Sequence, residues 1–326
     1  MNIIVVGMKY DYDDSSRELS YSFINFYKTL ESLGHNVKFF DFYHKFKKDG
    51  KALMNKELEK LVYDFKPHFV LFSLHQDEFF PSTLKNITSK TTSFSFFYDD
   101  TWRREYTDYW SSFFSVTNTP NQFDINAPKL STKKISFPFG FNENIYKRKK
   151  INTNYDVSFI GSWHPHREWI INKLKKKGFM VYTAGYGWPE GQVCVSEMVT
   201  IFNSSSINLN LSNSSSWDIR YLLSGPRAIL NTLRSQKNVE QIKARHFEIS
   251  ACGGFQISYF ADGLNKFYEI EDEIVIFNNI DDLINKVQFF LDNTNERLRI
   301  SDNAYRRAIK EHSYQKRFTD FIKKIS

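Results

Sequence analysis

Short apolar runs alternate with amphipathic segments along this whole chain, and that alternation restricts it to repeated βα units on largely parallel sheets. Residues 3–6 are an apolar run of strand length. Leu19, Phe23, Phe26, Tyr27, Leu30 and Leu33 then recur at helical spacing, and Gly34 stands where a left-handed cap belongs. Further strands are predicted at 37–42, 69–74, 94–98, 114–117 and 135–139, with a helix through Leu53, Leu58, Leu61, Val62 and Phe65. This is one complete Rossmann-like unit.

A basic, poorly apolar stretch at 146–154 follows, and a fresh strand opens at 157–161. The domain boundary is placed there: residues 1–148 form one Rossmann-like domain, 149–305 a second, and 306–326 a C-terminal helix. The second half repeats the logic with strands at 157–160, 180–183, 207–211, 255–259 and 273–277, and helices at 167–177, 196–202, 245–252 and 281–292. Residues 212–239, with a Ser-Asn run and Gly225-Pro226, are the least regular and read as an inserted loop or small subdomain.

At 326 residues, 41% apolar and 17% aromatic, the chain has material for two cores. Lys and Arg total 44 against 37 acidic residues, and the formal charge of +7 suits anionic ligands such as nucleotide diphosphates, lipid phosphates or nucleic acid. The basic runs at 45–48, 147–150 and 173–177 lack the interleaved aromatics of a nucleic-acid module. They suit solvated helix faces or contact with an anionic membrane surface. The two cysteines, Cys194 and Cys252, are too few for a disulfide framework and point to a reducing compartment. The apolar run at 3–6 is too short for a signal-peptide core or a membrane span, so a cytoplasmic enzyme is expected. The chain lacks a Ser-His-Asp series, a Walker loop and a full Gly-x-Gly-x-x-Gly fingerprint, which removes parts that hydrolases, ATPases and dehydrogenases need.

The densest chemistry lies in Gln241-Ile-Lys-Ala-Arg-His-Phe-Glu-Ile-Ser-Ala-Cys-Gly-Gly-Phe255. A helix starting near Ala244 aims its N-terminal N–H groups and positive dipole end at a diphosphate, and Lys243 and Arg245 add formal charge. Glu248 lies three residues from Arg245 and shares its face, where it can accept hydrogen bonds from ribose hydroxyls or form a surface ion pair. Gly253 and Gly254 end the helix and permit close backbone approach. A second phosphate contact is expected from Gly161-Ser-Trp-His-Pro-His-Arg167, with Gly161 ending a strand and Arg167 in the first turn of a helix. In the first half, Asp99 and Asp100 are paired carboxylates at a strand end, suited to sugar hydroxyls or to an acceptor proton. Asp11, Asp13 and His75 lie in loops after strands of the same half.

Phe247-Glu-Ile-Ser-Ala-Cys-Gly-Gly-Phe255, Glu273-Ile-Val-Ile-Phe277 and the segment 306–317 resemble the C-terminal half of the CgeB-type (spore-maturation protein-like) glycosyltransferases. The segment around Asp99 and Asp100 also resembles that family, as does Gly185-Tyr-Gly-Trp188, where Tyr186 or Trp188 is positioned to stack on a base. The resemblance implies a GT-B fold: two Rossmann-like domains facing each other across a cleft, with the last helix crossing back to the N-terminal domain. It also implies transfer of a sugar from a nucleotide-diphospho-sugar, a UDP-sugar first, without a metal and with a lean to retention. In that reading Arg245 stabilises the leaving diphosphate, Lys243, Glu248 and Arg167 hold the donor, and Asp99 or Asp100 serves the acceptor. The acceptor class stays open among glycan, lipid-linked, protein and small-molecule compounds. A sugar-nucleotide epimerase and a non-catalytic nucleotide- or sugar-binding protein remain as alternatives.

Overall fold

The central apolar runs become strands covered on both faces, as parallel sheets require, whereas the edge strands at 36–41 and 133–136 are only partly covered. The computed structural model of the protein describes residues 1–99, 102–119, 133–237 and 239–325. The chain divides into two units, Met1–Pro138 with Tyr314–Ser326, and Phe139–Ser313.

The first unit builds a parallel sheet from β1 (Asn2–Gly7), β2 (Asn36–Asp41), β3 (Phe69–Phe72), β4 (Thr92–Ser95), β5 (Val116–Thr119) and β6 (Lys133–Ser136), in the order β2-β1-β3-β4-β5-β6. Its helices are α1 (Lys28–Ser32), α2 (Phe42–Phe65), α3 (Pro81–Thr88) and α4 (Arg104–Ser111). A π-helical stretch, Phe23–Tyr27, leads into α1, and its wider turn brings Ile24, Asn25 and Phe26 inward together. Gly50, at φ +80°, breaks α2 into two helical pieces, so the helix starts earlier than the spacing of Leu53 to Phe65 predicts.

The second unit builds a parallel sheet from β7 (Tyr155–Ile160), β8 (Val181–Ala184), β9 (Ser205–Asn210), β10 (Gln256–Tyr259) and β11 (Val275–Phe277), in the order β11-β10-β9-β7-β8. Its helices are α5 (Pro165–Lys176), α6 (Val195–Ser204), α7 (Ile219–Leu222), α8 (Pro226–Arg234), α9 (Ala244–Ala251), α10 (Ile280–Asp292) and α11 (Thr294–Glu311). Val157, Phe159, Ile207, Leu209 and Ile257 from the sheet pack against Ile170, Leu174, Leu283 and Val287 from the helices. Residues 212–239 hold α7 and α8, so much of the stretch that reads as irregular is helical.

The last helix, α12 (Tyr314–Ile325), belongs to the first unit. Its Phe318 and Phe321 rings meet Phe26 at 5.9 Å and Phe94 at 4.8 Å, and Arg317 donates to the Pro138 carbonyl at 2.8 Å. The sequence reading divides the chain at 148/149 and 305/306, whereas the structure divides it at Pro138/Phe139 and Ser313/Tyr314. Burial explains the position: Phe139, Phe141 and Tyr146 lie inside the second unit, and Phe141 bridges to Ser313. The basic run that follows them is surface, not linker.

Candidate functional site

The strand order of the second unit reverses between β7 and β9, so the loops leaving their C-terminal ends diverge and open a crevice there. Gly161 follows β7 and Gly185 follows β8. Gly185 has φ +133°, and a Cβ on it would stand 2.3 Å from the Gly161 carbonyl oxygen. The two backbones are in direct contact. The Trp188 indole N–H donates to that same oxygen at 2.8 Å, and the ring meets Phe159 edge-on at 6.1 Å. Trp188 therefore plugs the turn from within, while Tyr186, 66% exposed, occupies the outer side.

α9 enters the crevice with its N-terminus. From His246 to Ala251 the helix is buried on every side, and Arg245, in its first turn, is directed to the end of β7 by its contacts with Glu248 and the Ile160 carbonyl. His246 is buried and its pKa falls to about 4, chiefly through desolvation. The neutral ring accepts at Nδ1 from the Lys243 backbone N–H (3.1 Å) and sets Nε2 3.2 Å from Ser258 Oγ, a tautomer inferred from these partners. It thereby caps the helix where a glutamate often stands. Lys243 holds its ammonium 5.5 Å from the Phe139 ring centroid.

Arg245 and Glu248 form an ion pair in which the Arg245 side chain is 30% exposed and Glu248 only 1%. The carboxylate sits behind the guanidinium. Arg245 Nε also reaches toward the Ile160 carbonyl at 3.4 Å, tying α9 to the end of β7. The Tyr146 phenol lies against the same carboxylate, and burial first and Glu248 second hold its pKa well above the ordinary value. A ribose contact by Glu248 requires the Arg245 pair to open, because the carboxylate has almost no exposed surface.

Arg167 donates from Nε to the Asn213 carbonyl (2.9 Å), from Nη1 to Ser162 (2.8 Å) and from Nη2 to Ser212 (2.7 Å). It laces the loop after β7 to the loop after β9, and burial lowers its pKa to about 10. Beside it is Glu240, which sequence reasoning missed. Its Oε2 accepts from Ser212 N at 3.1 Å, from Asn213 N at 3.3 Å and from the Ser212 hydroxyl, while its buried Oε1 has no hydrogen-bond partner. Burial raises its pKa to about 7. The available signal was a second carboxylate on the segment feeding α9, but its perturbation arises only when the 212–213 loop folds over it.

A pH dependence follows. A carboxyl whose folded-state pKa is raised contributes stability that is complete below its unfolded value and lost as pH rises through the folded one. Between pH 5 and 8 the unfolding free energy is expected to fall by about 2 kcal/mol through Glu240, and Glu240→Gln should remove that slope. Denaturant titrations at pH 5, 7 and 8 measure it; equal slopes for both proteins would refute the assignment.

Other predicted residues lie elsewhere. Gly253 and Gly254 follow the C-terminal end of α9, about 15 Å along the helix from Lys243. There they line a separate cavity of about 570 Å³ with Arg148, Lys149 and Arg297. Gly253, at φ +70°, leaves room for the Arg148 guanidinium. Asp99 belongs to the first unit, where its carbonyl accepts from Arg103 N at 2.9 Å. Asp100 lies outside the described residues. Asn208 is a buried cross-strand link between Ser158 and Phe255.

The first unit has its own cavity of about 230 Å³ at the reversal between β1 and β3, lined by Asp11, Tyr12, Ser22, Ser73, His75 and Tyr98 among others. Burial raises the Asp11 pKa, opposed by Arg17 and His75. The Tyr98 hydroxyl and Ser73 Oγ are 2.7 Å apart. Among the described residues, no group of three or more His, Cys, Asp or Glu side chains is placed to hold a metal, and no helix is long and apolar enough to cross a membrane.

Residues 166–323 match a family described as glycosyl transferase-like. No curated protein matches the chain. Among solved structures, a glycosyltransferase from Rickettsia africae ESF-5 is 11% identical with a TM-score of 0.63, covering 99% of this chain and 97% of that one. AviGT4, a glycosyltransferase involved in avilamycin A biosynthesis, is 12% identical with a TM-score of 0.64, covering 100% and 97%. Anabaena Alr3699/HepE in complex with UDP and glucose is 10% identical with a TM-score of 0.62, covering 100% and 99%. These structures are similar to this chain in fold, two parallel α/β sheets of the GT-B type.

Proposed function

We propose, for a glycosyltransferase whose residues 166–323 carry the glycosyl transferase-like domain, that the second unit binds a nucleotide-diphospho-sugar, a UDP-sugar first, and that its sugar passes to an acceptor served by the first unit. The observation that carries this reading is the start of α9, where Arg245, held by a buried Glu248, reaches the end of β7 beside Lys243. Oriented cations at a helix N-terminus meet the charge that grows on a departing diphosphate, and they are already in place before it forms. That supply of positive charge is the basis for metal-independent transfer.

Each neighbouring group has a role in the proposal. Arg245 and Lys243 take the diphosphate, and the close backbones at Gly161 and Gly185 let the donor approach the strand ends. Tyr186 offers an exposed ring to the base. Glu240, whose pKa burial raises to about 7, holds the 212–213 loop through Oε2, and its buried, unpartnered Oε1 meets a sugar hydroxyl only where that loop opens. Arg167 acts through the 212–213 loop as a positioning residue. On the acceptor side, Asp11 and His75 line a cavity whose burial makes Asp11 a stronger base than an exposed aspartate, and Asp99 stands in a neighbouring loop. Retention follows in this scheme if the departing diphosphate itself receives the acceptor proton.

The base preference rests on the UDP-bound Anabaena protein, which is similar in fold. A thermal-shift panel of UDP, GDP, TDP and CDP tests it: UDP is expected to stabilise most, because stabilisation grows with the logarithm of ligand concentration over Kd. Turnover of UDP-sugar should survive EDTA. No shift with any nucleotide would overturn the reading, and an altered sugar still attached to UDP would establish an epimerase instead.

A further inference from the structure

The segment carrying α7 and α8 is amphipathic the wrong way round for a soluble surface. On α8 the inner face is made by Ala228, Asn231 and Thr232: the Asn231 amide donates to the Ser214 carbonyl at 2.8 Å, and the Thr232 hydroxyl donates to Ser216 at 3.0 Å. These bonds fix the rotation of the helix. Its apolar residues therefore face outward, with Ile229, Leu230 and Leu233 exposed. Trp217, Ile219 and Leu223 extend the same kind of surface, Leu223 being 80% exposed and Leu233 66%. Isolated apolar residues on a surface are ordinary, but a run of this kind on one segment marks an interaction site.

Charge selects the occupant. From Trp217 to Lys237 the chain carries Arg220, Arg227, Arg234 and Lys237 against one acidic residue, Asp218. Arg220 is paired with Asp218 and Asp281, whereas Arg227 and Arg234 are exposed and have no carboxylate partner among the described residues. Arg227 and Arg234 are seven apart on α8, so they form one stripe, which borders the exposed apolar face on the side of Leu230, with Leu233 and Ile229 farther round that face. Apolar side chains flanked by unpaired arginines, with a tryptophan at the edge, match the acyl–headgroup boundary of an anionic bilayer. A second copy of the chain would set these arginines against their own kind.

We propose that residues 217–237 dock this protein on anionic lipid membranes, with the leucines and isoleucines entering the boundary and Arg227 and Arg234 meeting lipid phosphates. This surface lies on the second unit and adjoins the loop that holds Glu240, through Ser212 and Ser214. The inference does not depend on which nucleotide the protein binds.

The test is co-sedimentation of the full chain with vesicles of phosphatidylcholine mixed with phosphatidylserine, and of phosphatidylcholine alone. Binding is expected only to the mixed vesicles and to weaken as salt rises. Leu223→Ser with Leu233→Ser should lower the affinity at least about tenfold, and Arg227→Glu with Arg234→Glu about a hundredfold, with unchanged circular dichroism and thermal midpoint because all four side chains are exposed. Absence of wild-type binding, equal binding to both vesicles, or binding indifferent to both double variants would overturn the proposal. So would concentration-dependent dimerisation in light scattering that Leu223→Ser with Leu233→Ser abolishes, since a second copy would then own the surface.

Discussion

Arg245→Ala is expected to weaken UDP binding by about 1.5–3 kcal/mol, the range for hydrogen bonds to charged groups, which is roughly a tenfold to hundredfold rise in Kd. The variant should also lose stability, because Glu248 is almost fully buried and would be left without its cation. The two effects separate in a second protein. Arg245→Ala with Glu248→Gln removes the stranded charge, so it should regain most of the stability while affinity stays low. Calorimetry with UDP and thermal unfolding of the two variants report the two quantities independently. Wild-type affinity in Arg245→Ala would remove α9 from the donor site.

Gly185→Ala carries the second large effect. The residue has φ +133°, and the added Cβ would meet the Gly161 carbonyl oxygen at 2.3 Å, a backbone atom with no rotamer to yield. Strain and overlap together are expected to destabilise the protein by about 3 kcal/mol or more, roughly 6–12 °C in Tm. The overlap would also part the Trp188 indole from the Gly161 oxygen it bonds. Gly178→Ala is the matched control: its φ is +92°, but nothing lies within 4 Å of the added carbon, so a loss of only about 1 kcal/mol is expected. Equal Tm losses for the two variants would show that the close approach at Gly161 contributes nothing.

The comparison of expectation with structure turns on how local each feature is. The strands fall within a few residues of their apolar runs, because central strands such as those through residues 3–6 and 69–72 are buried on both faces and so read as continuous apolar runs. α9 and the pairing of Arg245 with Glu248 were readable as well, since residues three apart on a helix share a face whatever surrounds them. Arg167 was read as a phosphate ligand from its place near a helix start, yet three of its nitrogens donate to carbonyls at 162, 212 and 213, the last two on a loop forty-odd residues away in the chain. The spacing of Gly185-Tyr-Gly-Trp188 allows either aromatic to stack on a base or to plug the turn, and the choice for Trp188 depends on where the Gly161 oxygen lies. No local pattern encodes either partner.

Periodicity in the chain settled the α/β class, the order of the units and the short helix that begins at Ala244, because period and spacing act between near neighbours. Folding alone settled the depth of Glu240, the inward turn of Trp188 and the outward face of α8. Each of these depends on desolvation or on a hydrogen bond from a distant segment, and such partners exist only once remote parts of the chain have been packed together.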